Sequence, residues 1–275
     1  MKAKSGSAPS RSATSSTDED KPTSNTATHA HTRTAHDAHN SRKTTGVWAR
    51  IGRADKAMSA RIHTGDTFMR PLLVALEFSG HGIPWIAGAV VAFLLTAHSE
   101  LLANLLAGLA LDLVVVGLVK AIVRRPRPSY NVDDMFATVS VDRFSFPSGH
   151  TTRVAMLAAF VFFLANVGLE SQTVMEAANT ATAPTSSSSN LLPAFVLSII
   201  EMVNISLFVI VWAVVVAISR VMLGRHHVGD VAAGIVIGVA QFLVLRHFIW
   251  IPAHHATYMQ TTALDTINTW KASYL

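Results

Sequence analysis

The sequence predicts an all-α fold, a polytopic bundle of about five transmembrane helices behind a disordered N-terminal tail. Half of its 275 residues are hydrophobic and only 14% are charged, whereas a soluble protein has about a quarter charged residues. From residue 71 onward the chain consists largely of apolar runs, and about 20 such residues are enough to cross a bilayer. The chain has no Cys, which excludes disulfides and thiolate metal sites.

Residues 1–46 are predicted to be disordered. They are rich in Ser, Thr, Ala and His and contain almost no large apolar side chains. Such a segment cannot bury enough surface to offset the entropy lost on ordering. It also lacks the apolar core of a secretory signal peptide.

Residues 47–70 form a basic amphipathic segment. Apolar residues recur every three to four positions and basic residues fill the intervening ones; they are Trp48, Ile51, Ala54, Met58 and Ile62, with Arg50, Arg53, Lys56 and Arg61. This pattern fits a helix lying on a membrane surface. It fits equally well an ordinary surface helix packed on the rest of the protein, and the sequence does not choose between the two.

Residues 71–252 are predicted to form the transmembrane domain. The apolar runs that define its five crossings are 72–78 together with 83–97, then 101–123, 151–168, 193–218 and 228–250. Residues 170–192 contain the run SSSSN and are predicted to be a polar insertion loop. Residues 253–275 are left as a C-terminal tail.

Several ionisable residues fall in the apolar runs, where a charge is costly and calls for a reason; one of them, Glu201, lies near one end of the fourth run. Asp112 has no evident partner in the sequence, and we predict that it makes a structural hydrogen bond between helices. Lys120, Arg153 and Asp230 lie near the ends of runs, where a long side chain can reach the interface.

Counting the crossings places three polar clusters on the same side of the membrane as the N-terminal tail, provided that residues 72–85 do not cross separately. The clusters read K-AIVRRP-RP at 120–128, FPSGH at 146–150 and SR-VMLGR-H-HVG-D at 219–230. Most of the remaining Lys and Arg residues lie on that side as well, so the positive-inside rule predicts a cytosolic N-terminus and a cytosolic site. Because the basic residues flank apolar runs, we expect a membrane and a phosphate-bearing lipid as partners, and no nucleic acid.

The clusters contain the groups that phosphoryl transfer requires. The transferred phosphoryl group spreads negative charge over its oxygens, so catalysis depends on positioning and on cations. Lys120, Arg127 and Arg220 supply those cations, and Arg can bind phosphate in a bidentate manner. Ser148 and Gly149 lie where a predicted helix begins, and free backbone N–H groups at a helix N-terminus bind anions.

Two histidines, His150 and His226, are available for chemistry. His226 and Asp230 are four residues apart, so on a helix they would share a face. A carboxylate in that position can fix the imidazole tautomer and make the histidine a better nucleophile. His227 is a rival at the next position, and the spacing to Asp230 selects His226.

Together the clusters resemble the signature of the type 2 phosphatidic acid phosphatase superfamily, which also contains bacterial acid phosphatases and vanadium haloperoxidases. That signature is Lys-x6-Arg-Pro, then Pro-Ser-Gly-His, then Ser-Arg-x5-His-x3-Asp, and every defining residue is present between 120 and 230. The resemblance implies the helical acid phosphatase/vanadium haloperoxidase type of fold. It also implies hydrolysis with no metal and no cofactor.

The resemblance further implies a role for each residue of the signature. His226 attacks phosphorus to form a phosphohistidine, His150 protonates the leaving oxygen, and Asp230 supports His226. The residues expected to bind the phosphate are Lys120, Arg127, Ser148, Gly149 and Arg220.

A second resemblance concerns the substrate. Residues 76–85, LEFSGHGIPW, look like the corresponding segment of the polyisoprenoid diphosphate phosphatase, or phospholipid phosphatase 6-like, branch. That branch implies presqualene, farnesyl or geranylgeranyl diphosphate as substrate, with phosphatidic acid as a lesser one. It also implies a location in the endoplasmic reticulum or nuclear envelope.

Three other functions compete with this hypothesis. A vanadium haloperoxidase would share the anion site, but those proteins are soluble, unlike this apolar chain. In a transporter or channel, intramembrane charges would line a path, whereas here they gather at one boundary. A catalytically silent scaffold does not require the complete three-part signature that the sequence retains.

Overall fold

The computed structural model describes residues 46–132, 143–182 and 191–274, without the side chains of 168–182 and 191–199. The chain separates into two units after Arg50, and the contacts discussed below all lie within the second. The predicted disordered tail, apart from Gly46, lies outside the described residues.

Eight α-helices make up nearly all of the described chain, which contains no named strand and only one isolated β-bridge, between Pro126 and Phe144. The helices are α1 (Val47–Ile62), α2 (Arg70–Ser79), α3 (Gly82–Leu95), α4 (Ser99–Val123), α5 (Gly149–Thr182), α6 (Leu191–Met222), α7 (Val228–Val244) and α8 (Ala253–Tyr274). A π-helical turn, Leu245–Ile249, continues α7. The all-α prediction is confirmed.

Within the described residues, four helices are long and apolar enough to cross a membrane, over Ser99–Val123, Gly149–Val167, Ile200–Met222 and Val228–Ile249. Helices α2 and α3 are bent by 41° relative to each other and pass the same test only as a pair. Because α2 has ten residues, it is about 15 Å long, too short for a hydrocarbon core of about 30 Å. The pair therefore has the length of one crossing, and the prediction of about five crossings is confirmed.

The break between α2 and α3 is held against the bundle by specific bonds. Trp85 Nε1 donates to the backbone carbonyl of Ser79 at 2.8 Å, and Trp212 Nε1 of α6 donates to Ser79 Oγ at 3.0 Å. A Cβ added to Gly82 would lie 3.0 Å from Cζ of Arg153, so a side chain here would have to displace the guanidinium of Arg153. The break therefore occupies a fixed position beside the first turns of α5.

Helix α5 is the centre of the bundle and packs most extensively on α7 and α6. Its residues Thr151–Leu157 are all buried, and Met156, Leu157 and Phe160 form the main core with residues of α3, α4 and α7. Gly234 and Gly238 lie on the face of α7 that meets α5. Small residues four positions apart are a common means of close helix packing in membranes.

Replacement of Gly238 by alanine is expected to destabilise the protein by about 1–3 kcal/mol, the usual cost of overpacking. The new Cβ would overlap the backbone carbonyl of Thr152 and lie 2.9 Å from Cβ of Ala155. Thermal unfolding in detergent measures the effect. Gly117→Ala on α4, where a Cβ meets nothing within 4 Å, is the matched control, and equal midpoints for the two variants would contradict the prediction.

Two segments differ from the sequence-based prediction. Helix α5 continues to Thr182, so the first part of the predicted 170–192 loop is helical; residues 170–182 contain no Gly or Pro, and the first Pro stands at position 184. Residues 253–274, left as a tail, form α8, which packs on α4. Its Gln260 side chain donates to the carbonyl of Thr96 at 2.8 Å.

Candidate active site

The three polar clusters meet at one end of the bundle, as the crossing count predicts. Lys120 lies in the last turn of α4 and Arg220 in the last turn of α6, while Gly149 begins α5 and Asp230 is in the first turn of α7. The backbone N–H of Ser148 donates to the carbonyl of Asp230 at 3.2 Å. The helix ends thus bring residues from four separate segments to one place.

His226 lies between α6 and α7 and is only 2% exposed. Its Nδ1 is 2.7 Å from the backbone carbonyl oxygen of Ser145. Because a carbonyl oxygen can only accept, this bond requires the proton on Nδ1 and leaves the lone pair on Nε2. His226 is therefore held in the tautomer whose Nε2 can act as a nucleophile.

Burial lowers the pKa of His226 well below its ordinary value of 6.5, and the positive charges of Arg220, Arg127 and Lys120 lower it further. The hydrogen bond to Ser145 raises the pKa in part. The imidazole is consequently neutral near pH 7, the form that nucleophilic attack needs.

The prediction that Asp230 accepts a hydrogen bond from His226 is wrong. Helix α7 begins only at Val228, so His226 does not share a helical face with Asp230. The Oδ2 atom of Asp230 is 4.0 Å from His226 Nδ1, too far for a hydrogen bond. The carbonyl of Ser145 takes the place predicted for the carboxylate.

Asp230 instead caps α7 and anchors an arginine. Its Oδ2 accepts from the backbone N–H of His227 at 2.8 Å and lies 3.2 Å from His227 Nδ1, in a capping box. Its Oδ1 accepts from Arg125 Nη1 at 2.7 Å. Arg125, predicted from the sequence to be a positive-inside anchor, belongs to the site through this pair.

The phosphate-binding candidates surround His226. Ser148 is fully buried and its Oγ accepts from Thr151 Oγ1 at 2.9 Å. Lys120 is 2% exposed, and Arg127 Nη1 donates to the backbone carbonyl of Arg225 at 3.5 Å. A set of buried cations next to a helix N-terminus suits a multiply charged anion.

Two further residues, Glu77 and Arg225, belong to the site, and Glu77 was not predicted to do so. Glu77 of α2 forms ion pairs with Arg220, at 2.9 Å, and with Arg225, at 3.4 Å. From the sequence, Arg225 is predicted to be a positive-inside anchor that could also assist phosphate binding, and Glu77 lies in the segment 76–85 that was quoted for its resemblance. Both arginine side chains are at most 1% exposed, so Arg225 is an internal cation of the site and not a surface anchor.

His150, the candidate acid, lies in the first turn of α5. Its ring makes an edge contact with the ring of His81, 5.6 Å between centroids. The Nε2 atom is buried and has no hydrogen-bond partner among the described residues. This nitrogen is thus available to a substrate oxygen. In the described ranges no three His, Asp or Glu residues are grouped as metal ligands.

Arg153 and Asp112 form a buried ion pair behind the site. Arg153 Nη2 is 2.8 Å from Asp112 Oδ2, and Thr152 Oγ1 donates to Asp112 Oδ1 at 2.7 Å. Arg153 Nη1 also donates to the carbonyl of Gly80 at 3.1 Å. Asp112 links α4 to α5, as predicted. The prediction that Arg153 reaches toward the interface is wrong, because its partners draw it into the bundle.

Helix α1 docks on the beginning of α7 through its polar face. Asp55 Oδ1 accepts from the backbone N–H of Gly229 at 2.8 Å, and Ser59 Oγ accepts from that of Val228 at 2.9 Å. Asp55 Oδ2 also pairs with Arg125 at 2.6 Å. The polar face of α1 therefore packs on the rest of the protein, one of the two arrangements that the sequence allows. On its apolar face, Ile51, Met58 and Ile62 remain exposed.

Replacement of Asp55 by asparagine is expected to destabilise the protein by about 1 kcal/mol. It removes a partly buried ion pair with Arg125 and weakens a helix cap at Gly229, and each is a modest contribution. The thermal midpoint in detergent measures the loss. Asp265→Asn, in an exposed position of α8, is the control, and an unchanged midpoint for Asp55→Asn would refute this account of the docking.

The helical membrane bundle and its buried, cation-lined histidine site define a multi-pass membrane phosphatase. The chain belongs to the PAP2 superfamily, whose family model matches residues 101–252. The resemblance found in the sequence is thereby confirmed, and with it the assignment as a hydrolase.

The relatives described below align with most of this chain. It is 36% identical over 200 residues to "Probable lipid phosphate phosphatase beta" of Arabidopsis thaliana, covering 71% of this chain and 88% of that protein. A PAP2-type phosphatidylglycerolphosphate phosphatase from Bacillus subtilis superposes with a TM-score of 0.49 at 23% identity, over 72% of this chain and 86% of that one. LpxE of Aquifex aeolicus superposes with a TM-score of 0.45 at 17% sequence identity, over 70% of this chain and 94% of that one.

Proposed function

We propose that this chain removes phosphate from a lipid, without a metal or cofactor, through a phosphohistidine formed on His226. The observation that carries the proposal is the state of His226. It is buried and neutral, Nδ1 is bound to a carbonyl, and Nε2 keeps its lone pair beside three cations.

The reaction takes place in two steps. The phosphate binds among Lys120, Arg127 and Arg220, and His226 Nε2 attacks phosphorus as the bond to the leaving oxygen breaks. His150 protonates that oxygen, so the lipid leaves as a neutral alcohol, or as a monophosphate if the substrate is a diphosphate. His150 then takes a proton from water, which attacks the phosphohistidine and releases inorganic phosphate.

Three supporting residues act through the geometry of the site. The N-terminus of α5, at Ser148 and Gly149, contributes backbone N–H groups and the positive end of its dipole. Asp230 supports His226 indirectly, because it fixes the beginning of α7, where it contacts His227 and Arg125.

A lipid is the substrate class that the site's position favours. The site lies at the ends of apolar helices, where the headgroup of an amphiphile would lie, and the Arabidopsis relative is named for lipid phosphates. Within this class we propose polyisoprenoid diphosphates such as presqualene and farnesyl diphosphate, and also phosphatidic acid. The resemblance of residues 76–85 supports this choice, and it supports a location in the endoplasmic reticulum or nuclear envelope with N-terminus and site facing the cytosol.

The test is phosphate release by the purified protein in detergent micelles with EDTA present. Farnesyl diphosphate, phosphatidic acid and a soluble phosphate ester are compared at equal concentration. We expect turnover of the two lipids in EDTA and little turnover of the ester. Loss of activity on chelation would overturn the metal-free mechanism, and preference for the ester would overturn the lipid assignment. Phosphate binding without turnover would favour a silent scaffold or transporter.

The acid limb of kcat/KM is expected below pH 6.5, because burial and three cations lower the pKa of His226. Activity is lost as pH falls through that pKa, since protonated His226 has no lone pair to attack with. Lys120→Met removes one cation, so it should raise the pKa and move the limb toward higher pH. The parent and Lys120→Met are assayed on the same substrate, so that the ionisation of the substrate affects both equally. An acid limb at the same pH in the two proteins would contradict its assignment to His226.

A further inference from the structure

A buried carboxylate outside the family-matched region reaches two arginines of the site. Glu77 lies in the last turn of α2 and is 6% exposed. Its Oε1 is 2.9 Å from Arg220 Nη1, and its Oε2 is 3.4 Å from Arg225 Nη2. One carboxylate thus bridges two guanidinium groups, one of which is proposed to bind the phosphate.

The two arginines need this carboxylate when no phosphate is bound. The side chains of Arg220 and Arg225 are 1% and 0% exposed, so water does not screen their repulsion. A buried cation without a compensating anion is strongly unfavourable. Arg225 is held further by the carbonyl of Val132 and by Asn131 Oδ1, at 3.5 Å, and Arg220 forms the shorter of the two ion pairs with Glu77.

The two residues that follow helix position 78, Ser79 and Gly80, are bonded to neighbouring helices and so hold Glu77 in place. Trp212 of α6 bonds Ser79 Oγ, and Arg153 of α5 bonds the carbonyl of Gly80. Both contacts are within one turn of Glu77. The carboxylate is therefore carried by a rigid part of the bundle and not by a mobile loop.

We propose that Glu77 is a positioning residue for hydrolysis, which holds Arg220 and Arg225 side by side so that Arg220 receives the phosphate without rearranging. This inference rests on the proposed function. A guanidinium has five N–H donors in a planar fork, so Nη1 can remain on Glu77 while other donors face the phosphate. A preorganised cation is most valuable where charge develops in the transition state.

The first test is Glu77→Gln, which removes the charge and keeps the shape. We expect kcat to fall about 10- to 100-fold, the scale of a small misplacement in a catalytic site. KM and the inhibition constant of inorganic phosphate should change less than about threefold, because losing a negative charge does not weaken ground-state anion binding. Glu100→Gln, at the opposite end of α4, where the carboxylate accepts from Trp250 Nε1 at 3.0 Å, is the matched control and should leave kcat unchanged.

A double variant separates positioning from charge balance. Glu77→Gln lowers the thermal midpoint, and adding Arg225→Gln restores the net charge and should recover that midpoint. The kcat should stay low, because the ion pair that positions Arg220 is still missing. Glu77→Asp keeps the charge on a shorter side chain and should give an intermediate kcat. Recovery of kcat together with stability in the double variant would overturn the proposal. So would a kcat/KM of Glu77→Gln at or above that of the parent, which would mean that Glu77 competes with phosphate.

Orthovanadate provides a readout that does not require turnover. It adopts the five-coordinate geometry of the transition state, so its binding, measured by the rise in thermal midpoint, should weaken at least about tenfold in Glu77→Gln while inorganic phosphate binding stays within threefold. Equal effects on the two anions would overturn the positioning role. If the parent releases no phosphate from any substrate, the proposed function fails, and the comparison of these anions still decides the role of Glu77.

Discussion

Replacement of His226 by alanine is expected to abolish phosphate release, with kcat/KM falling at least about a thousandfold, as is usual when a covalent nucleophile is removed. The variant loses Nε2, the atom that would bond to phosphorus, and keeps the cations around it. It should therefore still bind inorganic phosphate with an affinity near that of the parent.

His254→Asn is the matched control, since His254 is exposed in the first turn of α8. It should retain full activity. Rapid quenching of the parent during turnover should trap acid-labile, base-stable phosphate on the protein, and the His226 variant should show none. Full activity of His226→Ala, or trapped phosphate on it, would move the nucleophile elsewhere.

Replacement of Asp112 by leucine is expected to destabilise the bundle by about 3–5 kcal/mol, the usual result of removing one partner from a buried ion pair. Asp112 is fully buried and Arg153 is 7% exposed. In the variant the guanidinium of Arg153 stays inside the bundle and keeps its hydrogen bond to the carbonyl of Gly80, but it loses the carboxylate that balances its charge. A large fall in the thermal midpoint in detergent measures the effect.

The double variant Asp112→Leu with Arg153→Leu should recover most of that loss, because apolar side chains often replace a buried pair without cost. Thr152 Oγ1 keeps a second acceptor, the carbonyl of Gly149 at 2.9 Å, so it is not stranded. A double variant no more stable than Asp112→Leu would show that Arg153 contributes through Gly80 and not through the pair.

The sequence predicted the residues of the site better than their contacts. Lys120, Arg220 and His226 could be located because they belong to short motifs at helix ends, and their grouping on one side followed from counting crossings. The contact between His226 and Asp230 could not be predicted, because the four-residue spacing places them on one face only if both are helical. Helix α7 begins two residues after His226, a boundary that spacing alone does not determine.

The contacts missed by the sequence analysis join segments far apart in the chain. Glu77 is 143 positions before Arg220, and Asp55 is 70 before Arg125. Asp55 lies in no motif, and Glu77 lies in a segment that was quoted only for its bearing on the substrate, so each looks like an ordinary charged residue on its own helix. Arg153 lies near the end of an apolar run, so its side chain was predicted to reach toward the interface. The ion pair with Asp112 on the neighbouring helix holds it inside the bundle instead. Such pairings depend on tertiary packing, which the sequence pattern does not contain.

The docking of α1 bears on where the smallest independently folding part of this protein begins. The family match starts at residue 101, yet the N–H groups of Val228 and Gly229 are satisfied by Ser59 and Asp55. A fragment cut at the family boundary would expose these donors and also lose Glu77. Any truncation series or engineered fusion should therefore keep the chain from residue 51 onward, because the segment that looks like a peripheral leader contacts the first residues of α7 and Arg125.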